Sequence, residues 1–265
     1  MNEQPKIGVI IPAAGISSRF GQKDKLVEDV GGRPLLIRTV EFFTKCDEVL
    51  DIVVAGPPQQ FEAFKERFAP TLSFHGVKIV EGDEHSRAMS VSNALSALSA
   101  DVTHIAVHDA ARPAVNRDLF DRLLLASRAC SAVVPAIPLN DTVKRADPSN
   151  INVSDDDAIA DSILGDDTKQ TVDTFKVTET VAREGLFAIQ TPQFFEAELL
   201  RRAYQQDSLE ECTDDASVIE KLGEPVYLVE GDSRNIKVTW YQDLKLVKAI
   251  MGIREQSERP AHKRF

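Results

Sequence analysis

The sequence predicts an α/β fold in which a largely parallel, doubly wound sheet carries helices on both faces. Three observations point there. Short apolar, β-branched runs alternate with helical periodicity through the first half of the chain. The runs are apolar on both faces, as strands covered on both sides require. The first run stops abruptly in small residues, at the carboxyl end of a strand, where ligands meet sheets of this kind.

In order, strands are expected at 7–11, 49–55, 77–80, 102–107 and 132–134. Between them, Leu36, Val40 and Phe43 follow Pro34 on one helical face. Phe61, Phe64 and Phe68 make a second stripe, Val91, Ala94, Leu95 and Leu98 a third, and Leu119, Leu123 and Leu124 a fourth beyond Pro113. The alternation breaks at Asn140. Seven aspartates fall between residues 147 and 167 in a turn-rich, weakly apolar stretch. Ordering it costs entropy with little burial in return, so residues 147–170 are expected to form a mobile acidic extension outside the core. Regular structure resumes at "GLFAIQTPQFF". Helices are expected near 196–206 and 214–222, strands at 226–230 and 235–239, and a last helix from Trp240 to Met251. One domain over 1–252 and a frayed tail at 253–265 complete the expectation.

Composition removes several classes of function. With 265 residues and 43% apolar content the chain can bury a sizeable core, and its net charge of −11 opposes general binding to nucleic acid or an anionic membrane surface. No apolar stretch approaches the ~20 residues of a membrane span, and no signal-peptide pattern opens the chain. Cys46, Cys130 and Cys212 are scattered and odd in number, neither a disulfide framework nor a zinc spacing. Buried thiols in a reducing cytoplasm are expected.

The chemistry concentrates in three places. "IGVIIPAAGISSRFG", residues 7–21, is neither a dinucleotide fingerprint nor a P-loop, because Gly15 and Gly21 stand too far apart and Gln22 follows. It offers a small-residue turn with exposed amides, then Arg19, Lys23 and Lys25, cations able to neutralise a polyphosphate. An ordinary strand-to-helix turn with solvated basic residues reads the same way. In "AVHDAARPAV", 106–115, Asp109 ends a central strand, where it either holds magnesium or caps the helix beyond Pro113. Arg112 follows at the mouth of the same crevice. His108 points to the opposite face, which suits packing. In "VEGDSRNIKVT", Lys237 is expected inside a strand, marking either a solvent edge or a cation aimed into a cleft. Thr142 in "LNDTVKR" and Arg183 in "TVAREGL" say little alone.

Taken together, "PAAG" with Arg19, "HDAARP", "DTVKR", "TPQFF", "TDDAS" and "NIKVT" follow one another as in the 2-C-methyl-D-erythritol 4-phosphate cytidylyltransferases of the non-mevalonate isoprenoid pathway. The chain resembles that family over residues 6–252. The resemblance implies a Rossmann-like sheet, a protruding dimerisation arm at about 140–190, a homodimer, and magnesium-dependent transfer of CMP from CTP to a polyol phosphate. By the same resemblance Pro12, Ala13, Ala14 and Gly15 border the nucleotide, with Gly82, Asp83 and Ser90 nearer the base. Arg19 and Lys25 hold the triphosphate, Asp109 the magnesium, and Lys237 faces the α-phosphate. Arg112, Thr142 and Arg183 receive the acceptor, Arg183 from the partner subunit.

Three departures from the family pattern stand out. Ser17 replaces a loop glycine, the Arg19–Lys25 spacing is one residue short, which makes Lys23 a rival for the triphosphate, and "EGDEHSRAMS" replaces a Gly-Gly segment. Two other readings share these motifs: a ribitol 5-phosphate cytidylyltransferase, differing at the acceptor residues Thr142 and Arg183, and a non-catalytic nucleotide-binding relative. A phosphate monoester with a second pKa of ~6 is already mostly dianionic at neutral pH, so the implied reaction needs no general base.

Overall fold

The computed structural model describes residues 4–15, 20, 24–153 and 170–254, with the backbone alone at 150–153 and 170–173. They fall into two compact units: one runs to Ile137 and resumes at Ile189, the other is Pro138–Ala188.

The first unit is built from β1 (Ile7–Pro12), α1 (Leu35–Phe43), β2 (Val49–Gly56), α2 (Phe61–Phe74), β3 (Lys78–Glu81), α3 (Arg87–Ala97), β4 (His104–Val107), α4 (Arg117–Ala126) and β5 (Ala132–Pro138). After the chain returns come β9 (Gln193–Glu196), α5 (Ala197–Ala203), α6 (Asp215–Lys221), β10 (Tyr227–Glu230) and α7 (Asp243–Ile250). The sheet runs β10-β5-β9-β4-β1-β2-β3. Its pairings are parallel at β1–β2, β1–β4, β2–β3 and β5–β10, and antiparallel where β9 lies between β4 and β5.

Neighbouring residues of each strand feed opposite faces, so two separate apolar layers form. Val9, Ile11, Ile52, Val54, Ala106 and Phe194 face one way, against α1, α2, α4 and α7. Ile10, Val53, Ala55, Ile105, Val107 and Phe195 face the other, against α3, α5 and α6. This is the doubly wound arrangement expected of strands apolar on both faces. The chain winds outward from β1 through β2 to β3 and then places β4 on the other side of β1, so a topological switch point opens between β1 and β4. A crevice forms there at the carboxyl ends of the strands.

The second unit is a ribbon of β6 (Val143–Val153) and β7 (Gln170–Val181), antiparallel in register from Val143↔Val181 to Val153↔Gln170. The short strand β8 (Phe187–Ile189) follows. Strand pairing therefore extends through residues 147–153, part of the stretch read above as turn-rich. The β-branched alternation of "TVDTFKVTETV" supplies a partner ladder for a segment that could not form a strand alone. The rest of the expected acidic extension, 154–169, and the tail from 255 lie outside the described residues. Among the described residues no helix is long and apolar enough to cross a membrane.

Candidate active site

A cleft of about 300 Å³ occupies the switch point of the first unit. Pro12, Ala13, Ala14, Gly15, Lys25, Asp83, Ser90, Asp109 and Lys237 all line it, together with Glu84, His85 and Arg87. Strand β1 delivers the small-residue turn, tied to β2 through Ala13 N and Ala55 O at 2.8 Å. The β3–α3 connection supplies Asp83 to Arg87. Asp83 Oδ1 accepts from the amides of His85 and Ser86 at 2.9 and 2.7 Å, and Ser86 caps α3 through Met89 N.

Gly82 stands behind this wall. A side chain there would bring its Cβ within 2.7 Å of Ala14 Cβ and 3.0 Å of both Gly56 O and Ser90 Oγ. Space, rather than an unusual backbone angle, requires glycine. Ser90 is buried and braces the loop, its Oγ accepting from Asp83 N at 2.8 Å.

Asp109 sits two residues beyond β4 and does not cap α4, a task that Asn116 performs through Leu119 N at 3.0 Å. It is instead the centre of a cationic cluster. Lys237 Nζ and Arg112 Nε lie 3.1 and 3.2 Å from Oδ2, and Arg87 Nη2 lies 3.8 Å from Oδ1. Burial works against the charge on Asp109, but Lys237, Arg87 and Arg112 outweigh it and hold the carboxyl well below the usual carboxylate range.

Lys237 reaches the cleft from an extended loop and not from a strand, which corrects the expectation for 235–239. Among the described residues no strand pairs with this segment. Its backbone is held instead by Val238 N to Ala111 O at 2.8 Å, while Asn235 O accepts from Arg112 Nη1 at 2.7 Å and from Gln190 Nε2 at 3.3 Å. Arg112 thus spends two of its nitrogens behind Asp109 and is only 11% exposed. Asn235 is fully buried, and its Nδ2 donates to Thr191 O at 2.7 Å.

His108 is buried and serves this scaffold. Its Nε2 contacts Arg112 O at 3.0 Å, and a carbonyl only accepts, so Nε2 carries the hydrogen. Nδ1 therefore accepts from Thr191 Oγ1 at 3.1 Å, and Thr191 Oγ1 accepts from Asp109 N at 3.0 Å. Burial lowers the imidazole to a pKa of about 4. The neutral ring fixes the turn that carries Asp109, in keeping with the packing role expected of it.

Arg87 was not among the residues singled out from the sequence. The legible signal was a cation directly after a helix-capping Ser86, at the carboxyl end of a strand on the cleft side of the sheet. Arg19 and Lys23 lie outside the described residues. Thr142 and Arg183 belong to the second unit, at one end of the ribbon, where Arg183 Nη1 donates to Asn140 O.

Among the described residues no group of three or more His, Cys, Asp or Glu side chains is assembled for a metal. Magnesium at nucleotide sites is held by one or two carboxylates, with the ligand's phosphates and water completing its shell. Asp109, ionised and lining the cleft, fits that donor set when a triphosphate supplies the remainder.

The family model described as 2-C-methyl-D-erythritol 4-phosphate cytidylyltransferase matches residues 7–162 and 149–253. Proteins of that name from Chromobacterium violaceum and Trichodesmium erythraeum are 36% identical over 254 residues and 32% identical over 248. These matches cover 93% and 92% of this chain, and 98% of each relative. Among solved structures, a 4-diphosphocytidyl-2C-methyl-D-erythritol synthase superposes with a TM-score of 0.69 at 30% identity, covering 93% of this chain and 99% of the other. The cytidylyltransferase of Thermus thermophilus gives 0.66 at 31%, covering 92% and 98%. A match across nearly the whole length of both partners has one reading: the chain belongs to the 2-C-methyl-D-erythritol 4-phosphate cytidylyltransferase family.

Proposed function

We propose that this protein transfers CMP from CTP to 2-C-methyl-D-erythritol 4-phosphate, forming 4-diphosphocytidyl-2-C-methyl-D-erythritol and releasing pyrophosphate. The observation that carries the reading is the convergence of Lys25, Arg87 and Lys237 with the Pro12–Gly15 turn and Asp109 around one cleft. A nucleoside triphosphate needs a close backbone approach and several fixed cations.

The acceptor's phosphate oxygen bonds to the α-phosphorus of CTP, and the bond from that phosphorus to the β-phosphate bridge breaks. Both reactants are anions, so the work of the protein is alignment and charge neutralisation. Lys25 and Arg19 hold the triphosphate. Lys237 faces the α-phosphate, where negative charge gathers as the new bond forms. Pro12, Ala13, Ala14 and Gly15 border the nucleotide, and Gly82, Asp83 and Ser90 shape the wall beside the base. Asp109 holds magnesium, which when bound offsets charge on the phosphates. Arg112, Thr142 and Arg183 receive the acceptor phosphate. Arg183 serves the neighbouring subunit of a homodimer, in which the β6–β7 ribbon is the dimerisation arm. The exposure of Phe175 and Val177, 69% and 54%, supports that use of the ribbon.

Pyrophosphate release, measured for each nucleoside triphosphate against each candidate polyol phosphate, tests the assignment. CTP with methylerythritol 4-phosphate should turn over fastest, and chelation of divalent metal should stop it. Equal or faster turnover with ribitol 5-phosphate would overturn the choice of acceptor.

A further inference from the structure

Arg87 stands between two carboxylates. Its Nη2 lies 2.7 Å from Asp215 Oδ2 and 3.8 Å from Asp109 Oδ1, and its side chain is 29% exposed at the cleft wall. Asp215 is different in kind from Asp109. It is fully buried as the first residue of α6 and is not among the residues lining the cleft. Its Oδ1 accepts from the hydroxyl of Tyr204 at 2.6 Å, and Tyr204 is itself 8% exposed at the end of α5.

The helix that carries Asp215 is in turn pinned to the central sheet. Asp214 caps α6 through Ser217 N at 2.9 Å. Gln193 of β9 donates to Asp214 Oδ2 at 2.7 Å and accepts from Ala216 N at 3.0 Å. A buried carboxylate is costly unless compensated, and here Oδ1 takes the hydrogen bond from Tyr204 while Oδ2 is held by the ion pair with Arg87 alone. "TDDAS", which by its sequence contributes only a helix start, thus continues into the cleft through Arg87.

Charge balance indicates the use. Asp109 already has Lys237 and Arg112 on Oδ2. Arg87 Nη2 stands nearer Asp215 Oδ2, at 2.7 Å, than Asp109 Oδ1, at 3.8 Å. We propose that Asp215 and Tyr204 are positioning residues that hold the Arg87 guanidinium at the wall as a preorganised cation for the nucleotide's phosphates, drawn back from Asp109. The inference rests on the nucleotide-binding reading above. A cation fixed before the ligand arrives loses less freedom on binding than an unanchored arginine. Asp215 and Tyr204 therefore act on affinity for the nucleotide through Arg87, with no contact of their own.

The test is a double-mutant cycle on the full-length protein, read by calorimetric CTP binding in magnesium buffer and by steady-state kinetics. Arg87→Ala and Asp215→Asn should each weaken CTP binding about tenfold, and Tyr204→Phe about threefold, with the loss appearing in KM for CTP more than in kcat. In the Arg87→Ala background, Tyr204→Phe should cost nothing further. If Asp215→Asn or Arg87→Ala does not fold, the same cycle between Tyr204→Phe and Arg87→Lys decides, since Arg87→Lys leaves Asp215 a cationic partner, and Tyr204→Phe should cost less there than in wild type. Equal losses from Tyr204→Phe with and without Arg87 mean a merely structural role and overturn the proposal. So does wild-type affinity in Tyr204→Phe. A wild-type protein that binds no CTP overturns the nucleotide reading, and this inference with it.

Discussion

Lys237 Nζ and Asp109 Oδ2 lie 3.1 Å apart, the cation arriving from a loop after β10 and the carboxylate from the turn after β4. Nothing local to either segment brings them together. The pair joins the proposed metal-binding carboxylate to the cation proposed for the α-phosphate. Lys237→Ala should lower kcat about a hundredfold or more, the scale for losing a group that meets developing charge. Lys237→Arg should recover part of that loss, and CTP binding should change less than kcat in both. Unchanged kcat in Lys237→Ala would remove Lys237 from the site.

Lys25 lines the cleft directly before Leu26, which is buried and anchors the short turn at 25–27. Asp24 caps that turn by accepting from Leu26 N at 2.9 Å. Lys25→Ala should therefore cut turnover about a hundredfold, and Lys23→Ala should do markedly less. Steady-state rates for the two variants at saturating magnesium distinguish them. Larger damage from Lys23→Ala would shift the triphosphate contact to that residue.

His108 should make folding stability depend on pH. In the unfolded chain its imidazole takes up a proton near pH 6.5. In the folded protein burial delays this to about pH 4. Between those values the unfolded state binds more protons, so the stability present above pH 6.5 is lost as pH falls toward 4. The slope for one such group reaches about 1.4 kcal/mol per pH unit. His104, lowered in the same direction chiefly by burial, adds to it. Urea midpoints at pH 7 and pH 5 should accordingly differ less in His108→Gln than in wild type. The variant should also be less stable at pH 7, because Arg112 O and Thr191 lose their partner. Equal pH dependence in the two proteins would contradict the neutral, buried imidazole.

If Arg183 acts across a dimer, two inactive variants should complement each other. Lys25→Ala and Arg183→Ala, refolded together in equal amounts, give mixed dimers in half of all pairings. Each mixed dimer then holds one site with both residues intact, so about a quarter of wild-type activity should return. No recovery despite confirmed subunit exchange would place Arg183 in its own subunit's site.

What the sequence determined by itself was local. Runs such as "IGVII" and "DIVVA" carry their strand identity in their β-branched content, and "PAAG" and "HDAARP" place small residues and a carboxylate where those strands end. The cleft residues from Pro12 to Gly15 and at Lys25, Asp83, Ser90 and Asp109 could therefore be named from spacing and resemblance alone. What only the tertiary structure decided depends on which segments become neighbours. The insertion of β9 antiparallel between β4 and β5 is one such choice, and the strand through 147–153 is another, since β6 pairs with β7, which begins only at Gln170. Ile236 and Val238 flank Lys237 as in a strand, yet among the described residues no ladder adjoins that segment, and Asn235 O and Val238 N are taken by Arg112, Gln190 and Ala111. Arg87 with Asp215 is the clearest case. An ion pair between helices from opposite halves of the chain has no periodicity to betray it, because its partners are selected by the packing of α3 and α6 on one face of the sheet.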